Sequence, residues 1–195
     1  RASGRGGRGR GRGSDGRPVL LKTVPGGRPN VAQVARLRHE HAVLSAIDSP
    51  AVVRTLGLVD LGDGLVLVLD HAGERSLHDL VGQPLALPDF LRVAVGMAEA
   101  VEAVHRHRVI HKDIRPHNFL TDSASGALTL IEFAAATRLV LEDRRARRTE
   151  RLEGTLAYMS PEQTGRMNCA VDRRTDLYSL GVALNELLPG VLPVR

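Results

Sequence analysis

The sequence predicts an α+β fold, and three observations support this prediction. Short apolar runs at residues 19–24, 52–59 and 65–69 are typical of strands, with turn residues between them. Two longer segments, residues 88–107 and 174–188, are rich in Ala, Val and Leu and are typical of buried helices. With 195 residues, of which 43% are apolar, the chain can build the core of one domain of ordinary size.

The positive charge of the chain is confined to its first residues. The whole chain carries 27 Lys and Arg against 22 Asp and Glu, a formal net charge of +5. Residues 1–17 hold six Arg and one Asp, which is also +5, so residues 18–195 carry 21 basic and 21 acidic side chains and balance to zero. This balance argues against nucleic-acid binding as the function of the folded part.

Cysteine content and hydropathy exclude two further classes of protein. The single cysteine, Cys169, has no partner for an internal disulfide and no metal-ligand spacing around it, which is typical of a reducing cytosol. No apolar run approaches the length of a membrane span, and no signal-peptide pattern opens the sequence. These features predict a cytoplasmic protein without a membrane span.

Residues 1–16 form a low-complexity segment of seven Gly, five Arg and little else, which we expect to be a disordered tail. Within it, Gly4, Gly6 and Gly9 satisfy the nucleotide-loop pattern G-x-G-x-x-G. We reject this interpretation, because the loop needs a strand on each side and nothing before Gly4 or just after Gly9 predicts one. Arg5-Gly6-Gly7 also resembles an RNA-binding RGG segment, but a solvated tail is the favoured interpretation.

The remaining elements follow from turn and capping signals. Asn30 is a suitable N-cap for a helix over residues 30–47, whose apolar side chains recur at spacings of three and seven. Gly62-Asp63-Gly64 predicts a hairpin turn between the second and third strands. Short strands are predicted at residues 119–121 and 128–131, around a Ser-Ala-Ser-Gly turn.

Residues 109–118 read Val-Ile-His-Lys-Asp-Ile-Arg-Pro-His-Asn, the most informative segment of the chain. This segment resembles the catalytic loop of protein kinases. The resemblance implies that Asp113 accepts the proton of the attacking hydroxyl and that Asn118 helps to hold a metal ion. It also implies that Arg115 faces the transferring phosphate, a cation typical of serine/threonine kinases.

Four further segments resemble protein-kinase landmarks and follow in the expected order. They are the strand ending in Lys22, the helix carrying Glu40, the segment Gly154-Thr155-Leu-Ala-Tyr158-Met-Ser160-Pro161-Glu162, and the segment beginning at Asp176. The resemblance implies that Lys22 holds the α/β-phosphates of ATP and pairs with Glu40. It implies that Asp176 tethers the backbone of the catalytic loop. The hinge that binds adenine through backbone groups then falls at Asp70 and Ala72, after a gatekeeper at Leu69.

The fold implied by this resemblance has two lobes, with residues 17–72 forming a β-rich N-terminal lobe and hinge and residues 73–195 a mainly helical C-terminal lobe. The motifs are similar to those of bacterial Ser/Thr-kinase-like domains at the N-terminus of large sensor histidine kinases. The implied partners are ATP, Mg²⁺, a protein substrate and downstream sensor domains. We expect the chain to be a fragment that lacks the first strands, the glycine-rich loop and the last helices of the C-terminal lobe.

The metal-binding triplet D-F-G is replaced by Glu132-Phe133-Ala134. Glu132 keeps the carboxylate that would bind Mg²⁺ but is one methylene longer, so we expect its oxygens to overreach the metal position. Ala134 removes the backbone freedom of glycine. Two functions therefore remain open: an active Ser/Thr protein kinase, and a pseudokinase that binds nucleotide and regulates a larger protein. An Arg/Gly-mediated nucleic-acid binder is a distant third.

Several other side chains are assigned structural roles. We expect His111 to pack beneath Phe133, and His105, His107 and His117 to have surface or loop roles instead of binding a metal. The basic run at residues 144–148 is expected to belong to a solvated activation loop, with Thr149 a weak candidate for phosphorylation. The helix at residues 174–188 is apolar on all sides, so we expect an isolated chain to be aggregation-prone and to have little activity.

Overall fold

The computed structural model describes residues 7–13, 15–24, 30–62, 64–139, 156–165 and 170–192. Within them, a four-stranded sheet and one helix form an N-terminal lobe, and two long helices with short strands form a C-terminal lobe. This is the predicted α+β architecture.

The N-terminal lobe is built on an antiparallel sheet. Its strands are β1 (Gly7–Arg12), β2 (Pro18–Thr23), β3 (Thr55–Asp60) and β4 (Leu65–Asp70), in the spatial order β1-β2-β4-β3. The central strand β4 buries Leu67 and Leu69 almost completely, because it has a neighbour on both edges and core on one face. Lys22 lies opposite Leu67 in the register of β2 and β4, which fixes the position of the lysine within the lobe.

Strand β1 corrects the prediction that residues 1–16 are a disordered tail, because residues 7–12 form a strand of the N-terminal sheet. It pairs along its whole length with β2, from Gly7 opposite Thr23 to Arg12 opposite Pro18, so the N-terminal lobe extends upstream of residue 17. The prediction failed because Arg-Gly repeats have low strand propensity, whereas an adjacent strand edge supplies backbone partners whatever the side chains are. Gly9 lies inside this strand, and Gly4 and Gly6 lie outside the described residues.

Helix α1 (Val31–Leu44) begins at the predicted N-cap. The Asn30 side chain accepts a hydrogen bond from the amide of Gln33 at 2.9 Å, and the Gln33 side chain accepts one from the amide of Asn30 at 2.9 Å. This reciprocal capping box satisfies two amides that a helix start leaves free. The helix ends three residues before the predicted end at residue 47, and its buried face carries Glu40 beside Leu37 and Leu44.

The C-terminal lobe contains two long helices, α2 (Leu87–Arg106) and α3 (Arg173–Leu187). Its short strands are β5 (Arg75–Ser76), β6 (Val109–Ile110), β7 (Phe119–Thr121), β8 (Leu128–Leu130) and β9 (Thr137–Arg138). Strands β5, β7 and β8 form one sheet, and β6 pairs with β9, so the segment between β6 and β7 is held at both ends. The helices and the 119–121 and 128–131 strands predicted from the sequence are confirmed, with bounds that differ by one residue at most.

The two helices of this lobe are only partly covered by the described residues. Helix α2 buries Met97, Ala100, Val101 and Val104 but leaves Leu91 52% exposed, so it is buried on one face only. Helix α3 buries Leu180, Ala183 and Leu187 and leaves Leu177 54% exposed. The stability of an isolated chain stays a prediction. Among the helices of the described segments, none combines the length and apolar character that crossing a membrane requires.

Candidate active site

The loop between β6 and β7 is held by one buried carboxylate. Asp176, in the first turn of α3, accepts hydrogen bonds from the amide of His111 at 2.9 Å and from the amide of Lys112 at 2.8 Å. His105 of α2 donates to the same carboxylate at 2.8 Å. Lys112 adopts a left-handed φ of 67°, a conformation that such a tether must stabilise because it is strained for a residue with a side chain. The predicted role of Asp176 as the tether of this loop has the geometry it requires.

The side chains of Asp113 and Asn118 are in contact within this loop. The amide nitrogen of the Asn118 side chain donates to the backbone oxygen of Asp113 at 2.7 Å and to its Oδ2 at 2.9 Å. The remaining oxygens, Oδ1 of Asp113 and Oδ1 of Asn118, are buried and have no hydrogen-bond partner among the described residues. Buried polar atoms without partners are rare in folded proteins, and they cluster where a ligand or substrate completes the site.

Arg115 lies beside this pair. Its Nε is 3.4 Å from Oδ2 of Asp113, and the two side chains are 22% and 11% exposed. A guanidinium at this place puts a positive charge next to the carboxylate without blocking the unpartnered Oδ1 of Asp113. The structure therefore brings together all three residues predicted from the 109–118 segment.

On the other side of the cleft, Lys22 contacts two carboxylates. Its Nζ lies 2.5 Å from Oε2 of Glu40, and it also forms an ion pair with Glu132; we refer to these three residues as the lysine cluster. The predicted contact between Lys22 and Glu40 is present. Glu40 is completely buried, and this burial raises its pKa, although the positive charge of Lys22 opposes the rise and the charge of Glu132 adds to it.

The sequence did not indicate that Glu132 contacts Lys22. Glu132 has a left-handed φ of 74°, and the next amide, of Phe133, donates to Oε1 of Glu40 at 3.0 Å. The longer side chain that was expected to overreach a metal ion is therefore long enough to reach the lysine. Within the triplet, Glu132 has the positive φ and Ala134 does not. Alanine in place of glycine at residue 134 therefore causes no backbone strain in this conformation.

Phe133 and His111 connect the two sides of the site. Phe133 is fully buried, and its ring meets the ring of His111 edge-on with the centroids 4.7 Å apart. His111 also hydrogen-bonds to the backbone oxygen of Ile131 through Nε2 at 3.1 Å. The predicted packing of His111 against Phe133 is confirmed, and its second ring nitrogen, Nδ1, accepts a hydrogen bond from the amide of Asp113 at 3.2 Å.

The hinge segment follows β4. Leu69 is buried, and the amide of Asp70 donates to the backbone oxygen of Arg54 at 2.9 Å. Partial burial would raise the pKa of Asp70, but hydrogen bonds from Arg54 and from the amide of His71 outweigh it and hold that pKa below its usual value. The side chain of Asp70 is thus engaged outside the cleft, and only backbone groups of Asp70 and Ala72 are candidates for contacts with a ligand.

The segment before α3 contacts the loop between β6 and β7. The side-chain amide of Gln163 donates to the backbone oxygen of Lys112 at 2.9 Å, a contact that no sequence motif indicated. Tyr158 donates to the buried carboxylate of Glu186 at 2.5 Å, and burial is the main cause that raises the pKa of its hydroxyl. Glu162 accepts a hydrogen bond from Thr175 at 2.7 Å.

The other residues singled out in the sequence have structural contacts or lie outside the described residues. His107 donates through Nδ1 to the backbone oxygen of Ala103 at 2.8 Å, and the ring of His117 stacks on that of His78 at 3.5 Å. The basic run 144–148, Thr149, Thr155 and Cys169 lie outside the described residues.

Comparisons with known proteins agree on one family. The family model described as "Protein kinase domain" matches residues 4–195. Serine/threonine-protein kinase pkn2 of Myxococcus xanthus is 36% identical over 184 residues, which cover 91% of this chain and 22% of that protein. A probable serine/threonine-protein kinase of Clostridium perfringens and PrkC of Bacillus subtilis are each 30% identical over 162 residues, which cover 82% of this chain and 23% and 24% of those proteins. The chain spans about a quarter of the length of these curated relatives.

Proposed function

Because the chain belongs to the protein kinase domain family, we propose that it transfers the γ-phosphoryl group of ATP to a serine or threonine hydroxyl of a protein. The observation that carries this proposal is the pair of buried, unpartnered oxygens, Oδ1 of Asp113 and Oδ1 of Asn118. The Asn118 side-chain amide fixes the pair by donating to the backbone oxygen and Oδ2 of Asp113 at 2.7 and 2.9 Å. A purely structural loop would satisfy those oxygens internally.

In this proposal the N-terminal lobe and hinge bind ATP. Lys22 contacts the α/β-phosphates, and Glu40 keeps its ammonium group directed into the cleft through the 2.5 Å contact. Backbone groups of Asp70 and Ala72 bind the adenine ring. The negatively charged phosphates and Glu132 then compete for one ammonium group, since both are attracted to Lys22.

The catalytic loop carries the chemistry. Asp113 orients the attacking hydroxyl through its free Oδ1 and accepts its proton as the new phosphate ester forms. Arg115, 3.4 Å from Asp113, supplies positive charge where negative charge develops on the transferring group. Asp176 keeps both in place by holding the loop backbone.

Asn118 fits a magnesium ion as it stands, and Glu132 fits one once its carboxylate leaves Lys22. Mg²⁺ prefers oxygen ligands, and Asn118 Oδ1 is a buried oxygen without a partner in the described part of the chain, while the Glu132 side chain is 22% exposed. Asn118 and Glu132 would hold the ion, which when bound would neutralise charge on the phosphates.

Two observations support a serine or threonine substrate: the cation at Arg115 and the names of the relatives, which are serine/threonine-protein kinases. In the same proposal the chain works in bacterial signal transduction, joined to the sensor and histidine-kinase domains that the resemblance of its motifs implies.

Transfer of labelled phosphate from ATP to the chain itself and to serine- and threonine-containing peptides tests the proposal. Asp113→Asn should lower the rate by about 10²–10⁴-fold, because it removes the general base, while nucleotide-dependent thermal stabilisation should remain. Asp89→Asn, an exposed carboxylate on α2 paired with Arg92, is the matched control and should not change the rate.

If Mg-ATP stabilises the parent chain but no phosphate is transferred, the chain is a regulatory nucleotide-binding module instead of an active kinase. A chain that no nucleotide stabilises would contradict both.

A further inference from the structure

Three side chains of types that can bind metal ions lie close together beside the hinge, outside the proposed active site. His71, Glu74 and Asp122 each offer one ligand atom, and these atoms all lie within 4.8 Å of one another. His71 and Glu74 belong to the segment that follows β4, whereas Asp122 follows β7 in the C-terminal lobe. The cluster therefore joins two parts of the chain that are about fifty residues apart in sequence.

The backbone brings these two segments together without help from the side chains. The amide of Glu74 donates to the backbone oxygen of Thr121 at 3.1 Å. Gly73 adopts a φ of 109°, and a Cβ at this position would lie 2.6 Å from the backbone carbon and oxygen of Thr121. Only glycine permits this approach. Main-chain packing therefore sets the distance between the two segments that carry the three side chains.

Neighbouring serines orient both carboxylates. Oε2 of Glu74 accepts hydrogen bonds from the amide and hydroxyl of Ser123 at 3.1 and 2.9 Å. Oδ1 of Asp122 accepts from the amide and hydroxyl of Ser125 at 2.7 and 2.8 Å. Hydrogen bonds of this kind commonly fix the ligands of metal sites.

The same hydrogen bonds keep the two groups ionised. The amide of Ser123 is the main cause that lowers the pKa of Glu74, and the amide of Ser125 has the same effect on the pKa of Asp122. Two carboxylates and one imidazole thus face one another. Arg10 also reaches this place, but its guanidinium hydrogen-bonds to the backbone oxygen of Glu74 at 2.7 Å and not to its carboxylate.

We propose that His71, Glu74 and Asp122 bind a divalent cation of the zinc class. Nε2 of His71 and Oε1 of Glu74 are 3.1 Å apart, close to the edge of about 3.3 Å of a tetrahedron with bonds of about 2.0–2.1 Å. Asp122 supplies the third ligand atom, which lies within 4.8 Å of the other two, and water completes the site. An imidazole ligand favours zinc over magnesium and calcium, which prefer oxygen alone.

Bound zinc would fasten the hinge to the turn after β7. His71 lies between Asp70 and Ala72, whose backbone groups are the candidates for adenine binding, so the cation would hold that segment without touching the nucleotide. The site does not depend on phosphoryl transfer and can be tested without ATP.

Calorimetric titration of Zn²⁺ into the full chain tests the proposal, with excess Mg²⁺ present to occupy oxygen-only sites and no nucleotide. All variants carry Cys169→Ser, which removes the thiol as an alternative ligand. Asp122→Asn and Glu74→Gln keep the acceptors of the serine hydrogen bonds while removing a charged ligand, and His71→Ala removes the imidazole. Asp89→Asn and Glu102→Gln, exposed carboxylates on α2, are the controls.

One zinc per chain is expected, with an affinity reduced at least about tenfold by each of the three ligand substitutions and unchanged in the controls. Co²⁺ should give a visible ligand-field spectrum that His71→Ala abolishes. If no zinc binds, or if the ligand variants bind as tightly as the controls, the proposal is wrong. Circular dichroism of each variant shows whether it is folded, and the two isosteric variants keep the test valid should His71→Ala unfold.

Discussion

The catalytic loop and the lysine cluster are held in place by different forces. The loop depends on one buried anion, Asp176, which accepts hydrogen bonds from two neutral backbone amides at 2.9 and 2.8 Å. The lysine cluster depends on balanced charges, because one ammonium group faces two carboxylates. Both regions line the same cleft. The catalytic loop keeps the residues of the family motif, whereas the lysine cluster contains Glu132, which stands where that motif has Asp.

This difference determines how each region responds to change. The geometry of the loop does not depend on what occupies the cleft, since its tether lies behind it in α3. The lysine cluster shares its ammonium group with any phosphate that enters, so its arrangement must change on binding. A substitution of the tether Asp176 should mainly affect stability, whereas one in the lysine cluster should also change the pH dependence or the rate.

The largest expected effect is on the tether. Asp176→Ala should lower the free energy of unfolding by about 3–5 kcal/mol, because two buried amides and His105 lose their acceptor. Urea denaturation measures this change. Asp172→Ala, which removes the exposed N-cap of the same helix, is the control and should cost about 1 kcal/mol. Equal losses in the two variants would mean that the loop is held by other contacts.

The second prediction concerns the charge balance of the lysine cluster. Lys22→Met should lower the free energy of unfolding by about 2–3 kcal/mol at neutral pH, since it leaves the buried Glu40 without its cation. The folded-state pKa of Glu40 is already raised above 4.5 and should rise further in this variant. Protonated Glu40 therefore stabilises the fold below about pH 4.5, and that contribution is lost as the pH rises through the folded-state pKa.

Denaturation of Lys22→Met at a series of pH values from 4.5 upward checks this dependence. The double variant Lys22→Met/Glu40→Gln lacks the Glu40 carboxyl group and should show a flatter profile. If both variants show the same slope, Glu40 is not the group responsible.

The third prediction separates the two regions by rate. Glu132→Asp should raise phosphotransfer by at least about tenfold, because the shorter side chain withdraws its carboxylate from Lys22 toward the metal position, and small displacements of catalytic groups have effects of this size. Glu132→Gln, of the original length but without charge, should give no such gain. No increase in Glu132→Asp, with normal Mg-ATP affinity in the parent, would show that the longer side chain already serves the metal.

The smallest effect is expected at the start of α1. Asn30→Ala removes the capping box about three turns before Glu40 and should cost about 1 kcal/mol of stability, with little change in the phosphotransfer rate. Gln33→Ala, which removes only the second half of the box, should cost less. A loss of rate far beyond the loss of stability would indicate that the cap helps to position Glu40.

The residues of the candidate site could be predicted because each lies in a short motif or at a characteristic distance from one. Asp113, Asn118 and Asp176 are close where the motifs required it, and Asn30 capped its helix as its side-chain chemistry indicates. These predictions depend on local sequence, and the structure adds only the distances.

The contacts that escaped prediction are made between distant parts of the chain or by the backbone. The ion pair of Lys22 with Glu132 joins residues 110 positions apart, and the Gln163 contact with Lys112 joins residues 51 positions apart. Neither has a sequence pattern, because long-range pairing depends on how distant elements of the chain pack together. Strand β1 was missed for a different reason: its side chains argue against a strand, and its pairing with β2 is made by backbone groups that any residue supplies.

Strand β1 repeats its sequence every two residues, Gly-Arg-Gly-Arg-Gly-Arg, and this is also the period of a strand. Shifting it along β2 by one Gly-Arg pair would present the same residue types to the same face, so side chains cannot distinguish the two alignments. The alignment is therefore fixed by the connection after the strand, where the amide of Gly13 donates a hydrogen bond to the backbone oxygen of Arg17 at 2.8 Å. The length of this turn, and not the length of the repeat, therefore sets which residues of β1 lie opposite which residues of β2.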